Sequence, residues 1–181
     1  MTTGTLKTKE FFASLDEASS ELLQMISSAD STTINTVPFE DSWTAAQLAA
    51  HVTKSNKAIT QALNMKGKTA ERNPGERVPE LKKMFLDFTS KFNSPEFIRP
   101  GQDSYQKVTL IAELKKSNEQ LKELRSKINL SEIISLPAFG EITKLELLHF
   151  VLYHTQRHIH QLKNIFQALK YNKIHCNGKT Y

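Results

Sequence analysis

Four stretches of the chain repeat apolar residues every three or four positions, and each predicts an amphipathic helix. From about Leu6 to Ser28 the stripe is Phe11, Leu15, Ala18, Leu22 and Met25, widened by Phe12 and Ile26. The second helix starts at Thr44 and runs through AAQLAAHVTKSNKAITQAL. Thr44 and Gln47 have capping-box spacing, and Trp43 can pack beneath that first turn with Leu48 as its partner. In the third helix, roughly Ser104 to Ile128, residues Leu110, Leu114, Ser117, Leu121, Leu124 and Ile128 follow a heptad repeat. Its other positions are mostly Lys, Glu, Gln and Asn, so one side faces water. The last helix is TKLELLHFVLYHTQRHIHQLKNIF, Thr143 to Phe166, opened by a second capping box on Thr143 and Glu146.

The segments between are less regular. Asp30 to Pro38 and Asn129 to Glu141 read as connections. In Met65 to Gly101, Asn73-Pro74-Gly75 marks a turn, and Pro79 opens a short helix, PELKKMFLDFTSKF. Met84, Phe85, Phe88 and Phe92 give that helix an apolar side, before Pro95, Pro100 and Gly101 break the chain again. Residues 65–103 therefore read as an insertion over one end of a bundle, with its phenylalanines plugging the core. Beyond Phe166 the pattern fades, and residues 171–181 read as a polar tail. The adjacent His175 and Cys176 have metal-binding chemistry, but in such a tail they are expected to do nothing. The whole is an all-α, four-helix bundle in a single domain spanning residues 1–181.

Composition narrows the setting. A chain of 181 residues, 39% hydrophobic and 24% charged, fits one soluble domain with a proper core. Six Gly and six Pro are too few for an all-β chain of tight turns. No apolar run is long enough to span a membrane, and MTTGTLKTKEFF lacks a signal-peptide block. With Cys176 the sole cysteine, no internal disulfide forms, so a cytoplasmic location is expected. The net charge of +5 raises the question of nucleic acid, but the lysines are dispersed and no nucleic-acid motif appears. Solvated helix faces account for them, and neither nucleic acid nor membrane is expected as a partner.

Candidate chemistry lies in the histidines. At about 100° per residue, Leu147, Phe150, Val151, His158, Gln161 and Ile165 all fall within about 60° of His154. Two imidazoles thus sit inside an apolar stripe, while His149 and His160 fall on the far side with Gln156 and Lys163. On the second helix His51 shares a face with Thr44, Gln47, Leu48, Ser55, Ala58, Ile59 and Ala62, mostly small residues that leave room beside the ring. An i, i+4 histidine pair can hold one ion, and a third histidine would leave a fourth position open, as in catalytic sites. Neutral imidazole suits Zn, Ni, Cu or ferrous Fe. Spacing and facing alone leave this reading level with three hydrogen-bonded core histidines. Gln161, one turn past His158, can bond a ligand histidine or its water, or simply be satisfied at the bundle end. Arg157, at the stripe's edge, can attract an anionic group, although a surface arginine is the plainer expectation. No carboxylate stands out as a general base.

Three motifs carry a resemblance. Trp43-Thr44-x-x-Gln47-Leu48-x-x-His51, then Leu136-Pro137-Ala138-Phe139-Gly140-Glu141-Ile142-Thr143, then His154-Thr155-Gln156-Arg157-His158-x-x-Gln161-Leu162 together resemble the DinB-like family, in order and over most of the chain. The resemblance implies a four-helix bundle with a long excursion between the second and third long helices. It also implies a metal triad on His51, His154 and His158, holding one divalent transition metal such as Zn, Ni or Fe. Relatives include metal-dependent thiol S-transferases, a maleylpyruvate isomerase, the bundle domain of iron-dependent sulfoxide synthases, and proteins labelled metal-dependent hydrolases. The expectation is therefore a metal-dependent enzyme of thiol-transferase or hydrolase type. Its substrate would be a small molecule such as a low-molecular-weight thiol, and it would form a homodimer. Despite the family's name, no DNA-binding role is implied. The alternative is a non-catalytic bundle that binds or dimerises, with a vestigial or structural metal site.

Overall fold

The structure, a computed structural model, describes residues 3–177, with side chains described for 8–174. In chain order the elements are α1 (Thr3–Ser28), α2 (Ser31–Asn35), α3 (Ala45–Leu63), β1 (Lys68–Thr69) and α4 (Val78–Leu86). A 3-10 turn (Glu96–Ile98), α5 (Lys107–Arg125), β2 (Glu132–Leu136), β3 (Gly140–Thr143) and α6 (Lys144–Asn177) follow. The four long helices form the expected bundle. Helix α1 packs on α5 and α6, and α3 packs on the same two, so consecutive members of each pair lie diagonally. A two- to five-residue loop would make sequential helices neighbours. Here residues 29–44 and 126–143 are long enough to cross the bundle end instead.

Those crossings hold structure that the apolar pattern does not show. Residues 30–38, expected as a plain connection, contain α2. Asp30 caps it, accepting from the Thr33 backbone N–H and hydroxyl, both at 2.7 Å. The expected connection 129–141 is largely a β-hairpin, to which β1 adds a third antiparallel strand in the order β1-β2-β3. Ile134 pairs with Ile142, and both are buried, which fixes the hairpin's core face. Gly140, at φ 63°, closes the loop between the strands in the left-handed region. At Gly67 a Cβ would lie 2.7 Å from the Ile133 carbonyl oxygen, so β1 can approach β2 only with glycine there.

Two helix limits also differ. The short helix expected through Phe92 stops at Leu86, where the Phe85 carbonyl bonds Arg157 and the Asp87 carboxylate takes the Thr89 N–H and the Thr89 and Ser90 hydroxyls in a turn. Helix α6, expected to fade at Phe166, continues to Asn177, so what reads as tail is helical as far as it is described. Ile165 and Leu169 prolong its buried stripe, and Asn172 donates to the Pro38 carbonyl at 3.1 Å. The side chains of His175 and Cys176 lie outside the described residues.

Both capping boxes are present. Thr44 Oγ1 accepts from the Gln47 N–H at 3.1 Å and Gln47 Oε1 from the Thr44 N–H at 2.9 Å. The box on Thr143 and Glu146 does more. Glu146, 0% exposed, accepts from the Thr143 N–H, from both Nη atoms of Arg72 (2.6 and 2.7 Å) and from the Arg77 N–H (2.8 Å). Thr143 Oγ1 donates to the Pro74 carbonyl at 2.5 Å, and Arg77 Nη1 reaches the Phe139 and Glu141 carbonyls. The first half of the excursion is thereby tied to the start of α6. Burial pushes the Glu146 carboxyl up, but its bonds to Arg72, Thr143 and Arg77 outweigh this and hold it below the usual range.

Breaking a buried ion pair from one side strands the other charge. Glu146→Ala should therefore cost about 3 kcal/mol in urea unfolding; a loss below about 1 kcal/mol would mean a pair no stronger than a surface one. Because the folded pKa is depressed, Glu146 stabilises the fold above its unfolded value of 4.5. That contribution should fade as pH falls through the lower, folded value.

Candidate metal centre

His51 sits in the second turn of α3, with His154 and His158 one turn apart on the facing side of α6. Their Nε2 atoms converge: His154 Nε2 lies 3.2 Å from that of His51 and 2.9 Å from that of His158. The outer nitrogens of two rings are anchored. His51 Nδ1–H donates to the Ile98 carbonyl at 3.0 Å, and His158 Nδ1–H to Gln161 Oε1 at 2.6 Å. Carbonyl and amide oxygens only accept, so both rings carry their proton outside and turn an Nε2 lone pair inwards.

All three rings are buried, none more than 7% exposed. Burial is the chief cause that holds each below the ordinary histidine pKa. For His154, the neighbouring His158, His51 and Arg157 lower it further. His158 is pushed down to about 3 by burial and His51, against the opposing bond to Gln161. At neutral pH the cluster is three uncharged imidazoles, the form that binds a metal.

The second half of the excursion closes over them. Three of its carbonyls accept from α3: Gly101 from Gln47 Nε2 (3.1 Å), Ile98 from His51, and Arg99 from Lys54 Nζ (2.6 Å). Arg157 holds the other edge. It is 6% exposed, contrary to the expected surface arginine, and its Nη atoms donate to the carbonyls of Phe85 (3.2 Å), Asp87 (2.8 Å) and Ser90. The Phe92 ring covers its guanidinium at 4.7 Å. Phe85 stands edge-on to Phe150 and His154, and Trp43 lies 5.1 Å from the His51 ring. The insertion thus plugs the core and roofs the histidines at once.

His149 and His160, placed on the far side by helical angle, are not simply solvated. His149 stacks on Phe11 at 3.9 Å and shares a hydrogen bond of 3.3 Å with the Tyr153 hydroxyl through Nδ1, and burial lowers its pKa to about 4. His160 stacks on Phe88 at 4.1 Å. Helix α1 and the excursion cover a face that would be wet on an isolated helix. Residue reasoning also missed the Ile98 carbonyl, since a backbone acceptor leaves no mark in side-chain pattern. The phenylalanines of residues 85–92 were the one available signal that the excursion packs inwards.

The donor set fits a divalent ion. Tetrahedral coordination at about 2.0–2.1 Å places nitrogens about 3.3 Å apart; the two pairs that include His154 stand at 3.2 and 2.9 Å, and all three ligand atoms lie within 4.8 Å of one another. Among the described residues no other group of three or more His, Cys, Asp or Glu converges in this way.

A four-helix bundle whose interior brings together three neutral imidazoles is a histidine-triad bundle. The sequence profile of the DinB superfamily matches residues 14–162, and the chain belongs to that superfamily. YfiT from Bacillus subtilis, described as a probable metal-dependent hydrolase with an unusual four-helix bundle topology, is similar in fold. It superposes with a TM-score of 0.59 at 13% identity, over 94% of this chain and 90% of that one. TT2238, a four-helix bundle protein, gives 0.56 at 18% identity over 86% of this chain and 98% of its own. A sequence search of curated proteins returns no match.

With burial holding the His158 pKa down to about 3 and that of His154 well below the ordinary value, both should stay neutral from pH 8 down past the ordinary histidine range. Their C2–H resonances should not titrate in that range in protein stripped of metal; a midpoint above about 6 for either would contradict the packing.

Proposed function

We propose that this protein is a metal-dependent enzyme of the hydrolase or thiol S-transferase type, with one divalent transition metal on His51, His154 and His158. The observation that carries the reading is the convergence of the His51 and His158 Nε2 atoms on that of His154, at 3.2 and 2.9 Å, with Nδ1 of the outer two already anchored. A divalent ion held by three neutral ligands keeps its full charge and supplies Lewis-acid activation of a water or thiol at the remaining position.

The chain's own residues set the terms of that chemistry. The Ile98 carbonyl and the Gln161 amide fix which nitrogen of His51 and His158 faces inwards. Both are neutral acceptors, and no described carboxylate bonds a triad ring, so no anion offsets an ion's charge. Lys54 and Arg157 add positive potential at the histidines. An anionic reactant, a thiolate or carboxylate, is the favoured guest. Phe85, Phe150 and Trp43 keep water from the rings. The absence of a bonded carboxylate base favours a thiol, which loses its proton more easily than water does. The hydrolase arm is the activity that the description of YfiT names for that protein, whose likeness to this chain is one of fold.

Protein purified without an affinity tag should carry one equivalent of zinc, nickel or iron. His51→Ala should abolish this, and Gln161→Leu should weaken affinity by about 10–100-fold. Thiol-transfer activity is to be assayed with small thiols plus an electrophile, hydrolysis with esters and amides. Metal that stays substoichiometric after each ion is offered would favour a non-catalytic binding module. Unchanged metal content in His51→Ala would defeat the triad itself.

A further inference from the structure

We infer that residues 85–101 form a gate over the triad and that Arg157 is its latch, a positioning residue that touches neither ion nor reactant. The inference rests on the metal reading above. None of the three histidines is more than 7% exposed, so an ion or a reactant reaches their Nε2 atoms only after something moves.

The bundle helices are poor candidates to move. Leu48 and Val52 of α3, and Leu147, Leu148, Val151 and Leu162 of α6, are 0–2% exposed, and parting them would open the core. The crossing is built differently. From Asp87 to Pro95 it has no helix or strand, and it leaves Phe88, Phe92 and Phe97 exposed by 45, 47 and 70%. Beyond the ring contacts of Phe85 and Phe88 on α6, its hold on the bundle is a row of its own carbonyls bonded by side chains. Gln47, His51 and Lys54 take one end, at Gly101, Ile98 and Arg99. Arg157 alone takes three at the other, at Phe85, Asp87 and Ser90, beneath the Phe92 ring. A segment with few buried apolar contacts opens locally at a cost set by such bonds, well below that of global unfolding.

Arg157 sits between His154 and His158 in sequence and commits its guanidinium bonds to the crossing, while its charge still acts on both rings. It can therefore govern how often the roof lifts without altering the donor set. At the opposite edge one histidine serves both purposes: the His51 ring that turns Nε2 inwards holds the Ile98 carbonyl through Nδ1. An ion that orients this ring also favours the closed crossing, and a closed crossing favours the ion.

The test uses full-length protein loaded with zinc, and release of the ion to an excess of chromophoric chelator is timed. Arg157→Met should still bind one equivalent but release it at least about tenfold faster, since even one of its three charge-assisted bonds is worth that much. Phe92→Ala, at a half-exposed position, should release it about threefold faster. Limited trypsin cleavage after Lys91 should accelerate in the same order, which reports opening without reference to the ion. Full zinc occupancy with release and cleavage unchanged in both variants would overturn the latch and leave the metal reading standing. Failure of the unaltered protein to take up zinc, nickel or iron would overturn the metal reading, and the gate with it. Should circular dichroism show Arg157→Met unfolded, Phe92→Ala decides by the same two rates.

Discussion

Three imidazole nitrogens pressed together away from water, two of them 2.9 and 3.2 Å from the third, constrain everything around them. Buried polar atoms must find partners, and a buried ring cannot afford a charge. Here burial keeps the rings neutral, while Ile98 and Gln161 take the outward protons of two of them. The lone pairs then face one point. Placing them there requires α3 and α6 to run side by side at this level, which the diagonal arrangement of the bundle provides. It also requires a carbonyl at His51, and no bundle helix can offer one, since helical carbonyls are committed to their own ladder. The excursion supplies it.

Helix α6 accordingly serves two structures at once. Glu146 and Arg157 are eleven residues apart, which on a helix is about three turns and about 20° of rotation, so they lie in one row. Glu146 binds the first half of the excursion through Arg72 and the Arg77 backbone, and Arg157 binds the second half through three carbonyls. One buried anion and one buried cation hold a segment that has little core of its own. The row stands next to the histidine stripe, so the same helix face that points the ligands also fixes their roof. A long irregular segment in a compact domain is commonly functional, and this one lies where it controls access.

Superfamily membership agrees with this arrangement without specifying the chemistry. The similar folds share under a fifth of their residues with this chain, so they speak for the bundle alone. In this chain the roof over the histidines is built from Phe85 and Phe92, the Ile98 carbonyl and the Arg157 clamp.

The amino-acid sequence by itself determined the four long helices, both capping boxes and the inward facing of His51, His154 and His158. Each depends on spacing along one helix, and 3.6-residue periodicity is a local property. The motifs also pointed to the DinB superfamily before any contact was known. Tertiary structure decided the rest. A hairpin was hidden in residues 132–143 because its strands are short and one face is half exposed, which leaves a weak alternation. The short helix ended at Leu86, where a guanidinium 72 residues on in the chain bonds the Phe85 carbonyl and the Asp87 side chain turns the backbone. Arg157 proved buried, and His149 and His160 proved covered, because partners arrive from other segments and no periodicity along α6 records them. Helical spacing says which way a side chain points; only the packed chain says what it meets.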